Sequence, residues 1–205
     1  MSLLLLARVL LVAGLGALVG GALCASRPAQ AEERGVVYWR AQRPLRWHDF
    51  QARTCPVQTR AAERALGACV TTGIALLPCA DARGRGTFQV VSYLSPKGSW
   101  VRDSTSFANR LTLTHEQVHF DINELYARRI RVLVADYYRT GRYPFGAELH
   151  ERATELLLAK NAYNNRYDTE AYADPIGGTV ARWQATVRQQ LQELAAYDAT
   201  VCACR

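Results

Sequence analysis

Apolar positions follow two different rhythms along the chain. From residue 34 to about residue 100 they come in short runs broken by turn residues. Val36-Val37-Tyr38-Trp39, Cys69 to Leu77 and Thr87 to Leu94 are rich in β-branched and aromatic side chains, as strands are. The third run is bounded by Gly86 and Pro96, and Arg83-Gly84-Arg85-Gly86 marks an exposed turn before it. From about Ser106 to Arg139 there is neither Gly nor Pro, and Leu111, Val118, Ile122, Leu125, Ile130, Leu133 and Val134 recur at helical spacing. Ser104, Thr105 and Ser106 are candidate N-caps, and Gly141 and Pro144 close the segment. Two more helices are expected, from about Ala147 to Asn164 and from about Thr179 to Ala196. The latter carries Val180, Trp183, Val187, Leu191 and Leu194 on one face. Between them, Arg166 to Gly178 reads as a loop, because it holds Asp174-Pro175 and Gly177-Gly178. Strands followed by helices predict an α+β architecture, with a β-rich N-terminal half and a helical second half, and not alternating βαβ units.

The first 31 residues follow a separate pattern. Arg8 supplies a positive charge, Val9 to Leu23 is apolar and uncharged, and Ala29-Gln30-Ala31 fits a small-x-small cleavage site. A signal peptide over residues 1–31 is expected, followed by one domain over 32–205. The alternative is an uncleaved anchor, although the apolar run is shorter than the roughly 20 residues a membrane-spanning helix needs. Lipid attachment at Cys24 fits poorly after the bulky Leu23. The protein is thus expected outside the cytoplasm, secreted or periplasmic, with no stable membrane insertion after cleavage.

Composition adds little to this picture. The 205 residues suit one domain, and apolar and charged contents of 49% and 21% are those of a globular chain. The formal charge is +7, and removing Arg8 and Arg27 leaves 25 − 2 − 18 = +5. The basic residues are scattered, which gives no support to nucleic-acid binding. Cys55, Cys69, Cys79, Cys202 and Cys204 remain after cleavage. In an oxidising compartment one or two disulfides are expected, with at least one thiol left over. No Cys-x-x-Cys spacing suggests a thiolate metal site.

The candidate chemistry lies in His115-Glu116-Gln117-Val118-His119. On a helix, positions i and i+4 stand one turn apart on one face, so both imidazoles can reach one zinc ion. Glu116, beside the first ligand, is placed to act as general base, taking a proton from the attacking water and passing it to the leaving group. The pattern is a zinc metalloprotease signature. Two surface histidines on an ordinary helix are the bland alternative, but the chain holds only four histidines, so the match is rarely accidental.

A catalytic zinc needs a third protein ligand. Asp121 and Glu124 lie about 200° and about 140° around the helix from His119, off the ligand face. Their expected role is support, and Glu124 with Arg128 has the i, i+4 spacing of an ion pair. The remaining candidates are His150, Glu151, Glu155, Asp168, Glu170 and Asp174. The acidic cluster Asp168-Thr169-Glu170 is favoured, with Glu170 as the chosen ligand. His150 lies in a charged stretch and is expected to face solvent. His48, in Trp47-His48-Asp49-Phe50, is read as part of a packed N-terminal segment.

Several stretches together resemble a bacterial secreted family catalogued as domain of unknown function 922, whose members are predicted zinc-dependent proteases. They are Ser99-Trp100-Val101, the run from His115 through Ile122, and Glu124-Leu125-Tyr126-Ala127-Arg128. Leu45 to Phe50 resembles that family's N-terminal signature, and Tyr167-Asp168 followed by Trp183 its C-terminal one. The resemblance spans nearly all of the chain after residue 31. It implies a zincin-like fold, a zinc cofactor, a polypeptide substrate and peptide-bond hydrolysis. One departure stands out. Where the family has Thr-x-His-Gly after the Tyr-Asp pair, this chain reads Ala171-Tyr172-Ala173-Asp174. If that histidine is the family's third ligand, an acid such as Glu170 or Asp174 takes its place here, or the metal is held weakly. Two other functions fit the same residues: a metal amidohydrolase acting on cell-wall peptides, and a non-catalytic exported binding protein that keeps the helix as scaffold.

Overall fold

The change of rhythm near residue 100 is a change of architecture. The computed structural model describes residues 35–55, 67–80, 84, 86–105, 109–141, 146–174 and 178–198. The expected signal segment lies outside these residues, as do Cys202, Cys204, the side chain of Cys79 and the candidate N-cap Ser106. Strands β1 (Val37–Tyr38), β2 (Ala68–Cys69), β3 (Thr72–Ala80), β4 (Gly86–Leu94) and β5 (Trp100–Val101) precede helices α1 (Asn109–Arg139), α2 (Ala147–Tyr172) and α3 (Gly178–Glu193). The fold is α+β. Among the described residues no helix is long and apolar enough to cross a membrane.

β1, β4 and β3 form an antiparallel sheet in that order, and β2 pairs with β5 in a second, two-stranded one. The β3–β4 register runs from Thr72 opposite Leu94 to Ala80 opposite Gly86. β3 is an edge strand, the place in a sheet where a residue such as Pro78 is tolerated. Gly73 faces Tyr93, and a Cβ there would lie 2.5 Å from the phenol ring, so only glycine lets the ring cross the strand.

The stretch from Cys69 to Leu77, expected as one strand, is divided. The chain leaves β2 at Val70 and joins the other sheet at Thr72. At the break, Val70 N–H donates to Glu116 Oε2 (2.9 Å) and Thr71 N–H to Ser99 Oγ (2.9 Å). Side chains satisfy the backbone there, so no ladder is needed.

α1 is the centre of the molecule. It packs on β3 and β4, on α2 and on α3. Its apolar spacing predicts one buried face, yet every residue from Ile122 to Arg128 is buried, because neighbours cover it on several sides. Two buried polar groups at its centre are paired. Asn123 Nδ2 donates to Gly73 O (2.7 Å) and Ser92 Oγ (2.9 Å), and Lys160 Nζ donates to its Oδ1 (3.2 Å). Glu124 makes the expected pair with Arg128 (3.0 Å) and a further one with Arg131 (2.7 Å). Both guanidinium groups continue to the C-terminal region: Arg128 donates to Leu191 O in the last turn of α3 (2.7 Å), and Arg131 to Tyr197 O just beyond it (2.8 Å). Capping carbonyls with arginine at a helix C-terminus satisfies acceptors the helix leaves open. Removing Glu124 would leave the largely buried Arg131 without its carboxylate partner and Arg128 with Asp198 alone (3.0 Å). Glu124→Ala is expected to lower unfolding stability by about 3–5 kcal/mol, read as a shift of the urea midpoint at unchanged slope.

The N-terminal segment is tied to the same helix. Trp39 Nε1–H and Gln117 Nε2–H both donate to Asp121 Oδ1 (2.8 and 2.7 Å), and Leu45 N–H donates to Gln117 Oε1 (2.7 Å). Asp121 is thus an anchor. In Trp47-His48-Asp49 the packed residue is Asp49, which accepts from Arg43 (2.7 Å) and from Arg46 N–H (2.9 Å), while the His48 ring is exposed.

The largest difference from the sequence reading is α2. Arg166 to Tyr172, expected in a loop, continues the helix. The turn signals Asp174, Pro175, Gly177 and Gly178 all come later, and residues 165–172 contain no breaker. Leu149, Ala153, Leu156, Lys160, Tyr163, Tyr167 and Ala171 make one stripe at spacings of three and four, and that stripe is the side α2 buries.

Candidate metal centre

α1 and α2 run antiparallel past each other. Asn123 meets Lys160, His119 meets Asn164, and His115 meets Tyr167 and Tyr172. His115 and His119 stand one turn apart on α1, and Asn164, Asp168 and Tyr172 stand one turn apart on α2. The two faces meet at three ligand-type atoms. His115 Nε2 and His119 Nε2 are 3.1 Å apart, and Asp168 Oδ1 is 3.1 and 3.0 Å from them. Three atoms so spaced can all lie about 2.0–2.2 Å from one ion. Among the described residues this is the one such group of histidine, cysteine and acidic side chains.

Direction matters as much as distance. Asp168 Oδ1 is buried, and no hydrogen-bond donor is aimed at it despite the two nearby ring nitrogens. His119 Nδ1 lies 2.8 Å from Asn164 Oδ1, an acceptor, which places the ring proton on Nδ1 and leaves the Nε2 lone pair facing the cluster. The two Nε2 atoms lie within hydrogen-bond distance of each other, but neither supplies a donor to Asp168 Oδ1, whose lone pairs lack a positive partner. The residues present therefore fit a divalent cation, and two imidazoles with one carboxylate suit zinc.

The electrostatics have the same sense. Burial alone would push the Asp168 carboxyl up, but His115 and His119 outweigh it and hold it well below the usual carboxylate range. Burial would lower His119, but Asp168 and Glu116 outweigh that and raise it. The Asp168 and Glu116 carboxylates thus place negative charge where a cation would sit.

Glu116 is buried beside the cluster. Burial raises its pKa, against the pull of His119, His115 and the Val70 N–H. Tyr167, fully buried, stacks on His115 (4.7 Å between ring centroids, 29°) and donates to His115 O (3.3 Å). It fixes the first imidazole as Asn164 fixes the second. Asn164→Ala is expected to weaken zinc binding by about 10–100-fold, measured by competition with a chromogenic chelator.

Glu170, the ligand chosen from sequence, is not brought to the histidines. Two residues past Asp168, it points about 200° away around α2. Its Oε1 accepts from Arg166 Nε (2.7 Å) and its Oε2 from Trp183 Nε1 (2.7 Å), across the α2–α3 contact. Asp168, weighed beside it, takes the position instead. Asp174 Oδ2 accepts from Thr179 N–H (2.6 Å) at the start of α3. His150, Glu151 and Glu155 are exposed on α2 and join no metal-type cluster. Neither Asp121 nor Glu124 reaches the ligand face, as their angles predict. Asn164, Tyr167 and Val70 were not anticipated as site residues, although Tyr167 stands in the Tyr-Asp pair of the resemblance.

Cys69 and Cys55 are both free thiols. Burial and the charge of Glu116 push Cys69 up to about 11, which keeps it neutral and a poor ligand near neutral pH. No protein-family model matches the chain, and no curated protein or solved structure matches it.

Proposed function

We propose that this chain is an exported, zinc-dependent peptidase of zincin-like architecture, of the kind that the resemblance to the 922 family implies. The observation that carries the reading is the convergence of His115 Nε2, His119 Nε2 and the donor-less Asp168 Oδ1 beside a buried glutamate. His115, His119 and Asp168 would hold the ion. A zinc ion there supplies a Lewis acid that polarises a peptide carbonyl and lowers the pKa of water.

The chain's own groups supply the rest. Glu116 is held by Val70 N–H through Oε2, so its other oxygen can accept the proton of the attacking water and later deliver it to the departing amine. Its raised pKa brings it closer to neutral pH, where a proton shuttle works best. Asn164 and Tyr167 keep both imidazoles in register. The missing family histidine is no argument for an inactive scaffold, because Asp168 completes a three-ligand set without it. Digestion of purified cell wall instead of casein would favour the amidohydrolase alternative, which has no observation of its own.

The zinc-loaded protein is expected to release peptides from casein, to stop on treatment with a chelator and to resume when zinc is returned. A protein that carries one zinc per chain and cleaves neither casein nor cell-wall peptide contradicts the reading.

A further inference from the structure

We infer that Tyr172 contacts the substrate, its phenol donating a hydrogen bond to the oxygen of the scissile carbonyl as negative charge gathers there. This rests on the peptidase reading above. Tyr172 is one helical turn beyond Asp168, on the same face of α2. Its ring centroid lies 5.5 Å from that of His115, at 38°, while the residue as a whole is 62% exposed. A large aromatic ring tilted beside a candidate ligand, with much of the residue in solvent, is placed to meet a bound substrate.

Hydrolysis needs a donor for the developing oxyanion. Three donors beside the cluster already have acceptors. Val70 N–H goes to Glu116, the Tyr167 hydroxyl to His115 O, and Asn164 Nδ2 to Lys160 O (3.2 Å). The three ligand side chains offer lone pairs, and Glu116 serves as an acceptor. The Tyr172 hydroxyl makes no hydrogen bond with the described residues. An ordinary phenol is protonated at neutral pH and so can donate.

Tyr172→Phe keeps the ring and removes the donor. Loss of one oxyanion donor lowers kcat by about 10²–10³-fold, so casein cleavage is expected to fall by about 10²-fold with KM and zinc content unchanged. A second readout does not depend on turnover. Acetohydroxamate places its oxygens at the metal, and its binding to the cobalt-substituted protein is followed in the visible spectrum. It is expected to bind the variant about tenfold more weakly than wild type. Equal kcat and equal hydroxamate affinity in the variant would overturn the inference and leave the peptidase reading standing. So would loss of metal from the variant, which would make Tyr172 a structural support. A wild-type protein that takes up no cobalt or zinc would overturn both.

Discussion

Glu116→Gln is expected to abolish most peptide hydrolysis, lowering kcat by about 10³-fold, while zinc remains bound at the wild-type stoichiometry. The carboxylate is not among the three converging ligand atoms, so its loss leaves the metal set whole. An amide of the same size can still accept the Val70 N–H, so the break between β2 and β3 is preserved. What glutamine cannot do is hold and return a proton. The check is casein cleavage and zinc content measured on the same sample. A variant that cleaves like wild type removes Glu116 from the mechanism, and one that loses zinc makes it a ligand or a structural prop.

Asp168→Ala carries the second large effect. Asp168 is the proposed ligand on α2, and its Oδ1 has no hydrogen-bond partner. Bound structural zinc is worth on the order of 10–16 kcal/mol spread over its ligands, so loss of one charged ligand is expected to weaken affinity by roughly 10²–10³-fold. Glu170→Gln is the control, because Glu170 is engaged with Arg166 and Trp183 on another side of the helix. It is expected to leave zinc affinity unchanged. Competition with a chromogenic chelator separates the two carboxylates, and a loss in Glu170→Gln with none in Asp168→Ala would invert the assignment.

The contrast between those two acids shows what the sequence carries. The first two proposed ligands and the proposed base lie within one helical turn, so local periodicity alone places them. The third depends on where α2 ends and which side of it meets α1. The turn residues from Asp174 onward, extended back to Arg166, put Asp168 and Glu170 in a loop where either can serve. The stripe from Leu149 to Ala171 was the available signal, since it carries helical spacing through Tyr167. With the helix extended, the 100° step puts Asp168 and Glu170 on different sides. Which side faces the histidines is still set by tertiary packing, through buried Tyr167 and Trp183. The burial of Glu124 has the same origin: its partner Arg128 is readable at i+4, but the α3 carbonyls that complete the network are over 60 residues away. The division of the stretch from Cys69 to Leu77 was hidden because side chains of Glu116 and Ser99, not a turn sequence, take its backbone donors.

The central claim is that His115, His119 and Asp168 form one metal site. Its most direct test is the zinc content of the purified protein beside His119→Ala, each dialysed after exposure to zinc. About one zinc per wild-type chain and a large loss in the variant are expected. No retained zinc in the wild type, or equal retention in both, would contradict it.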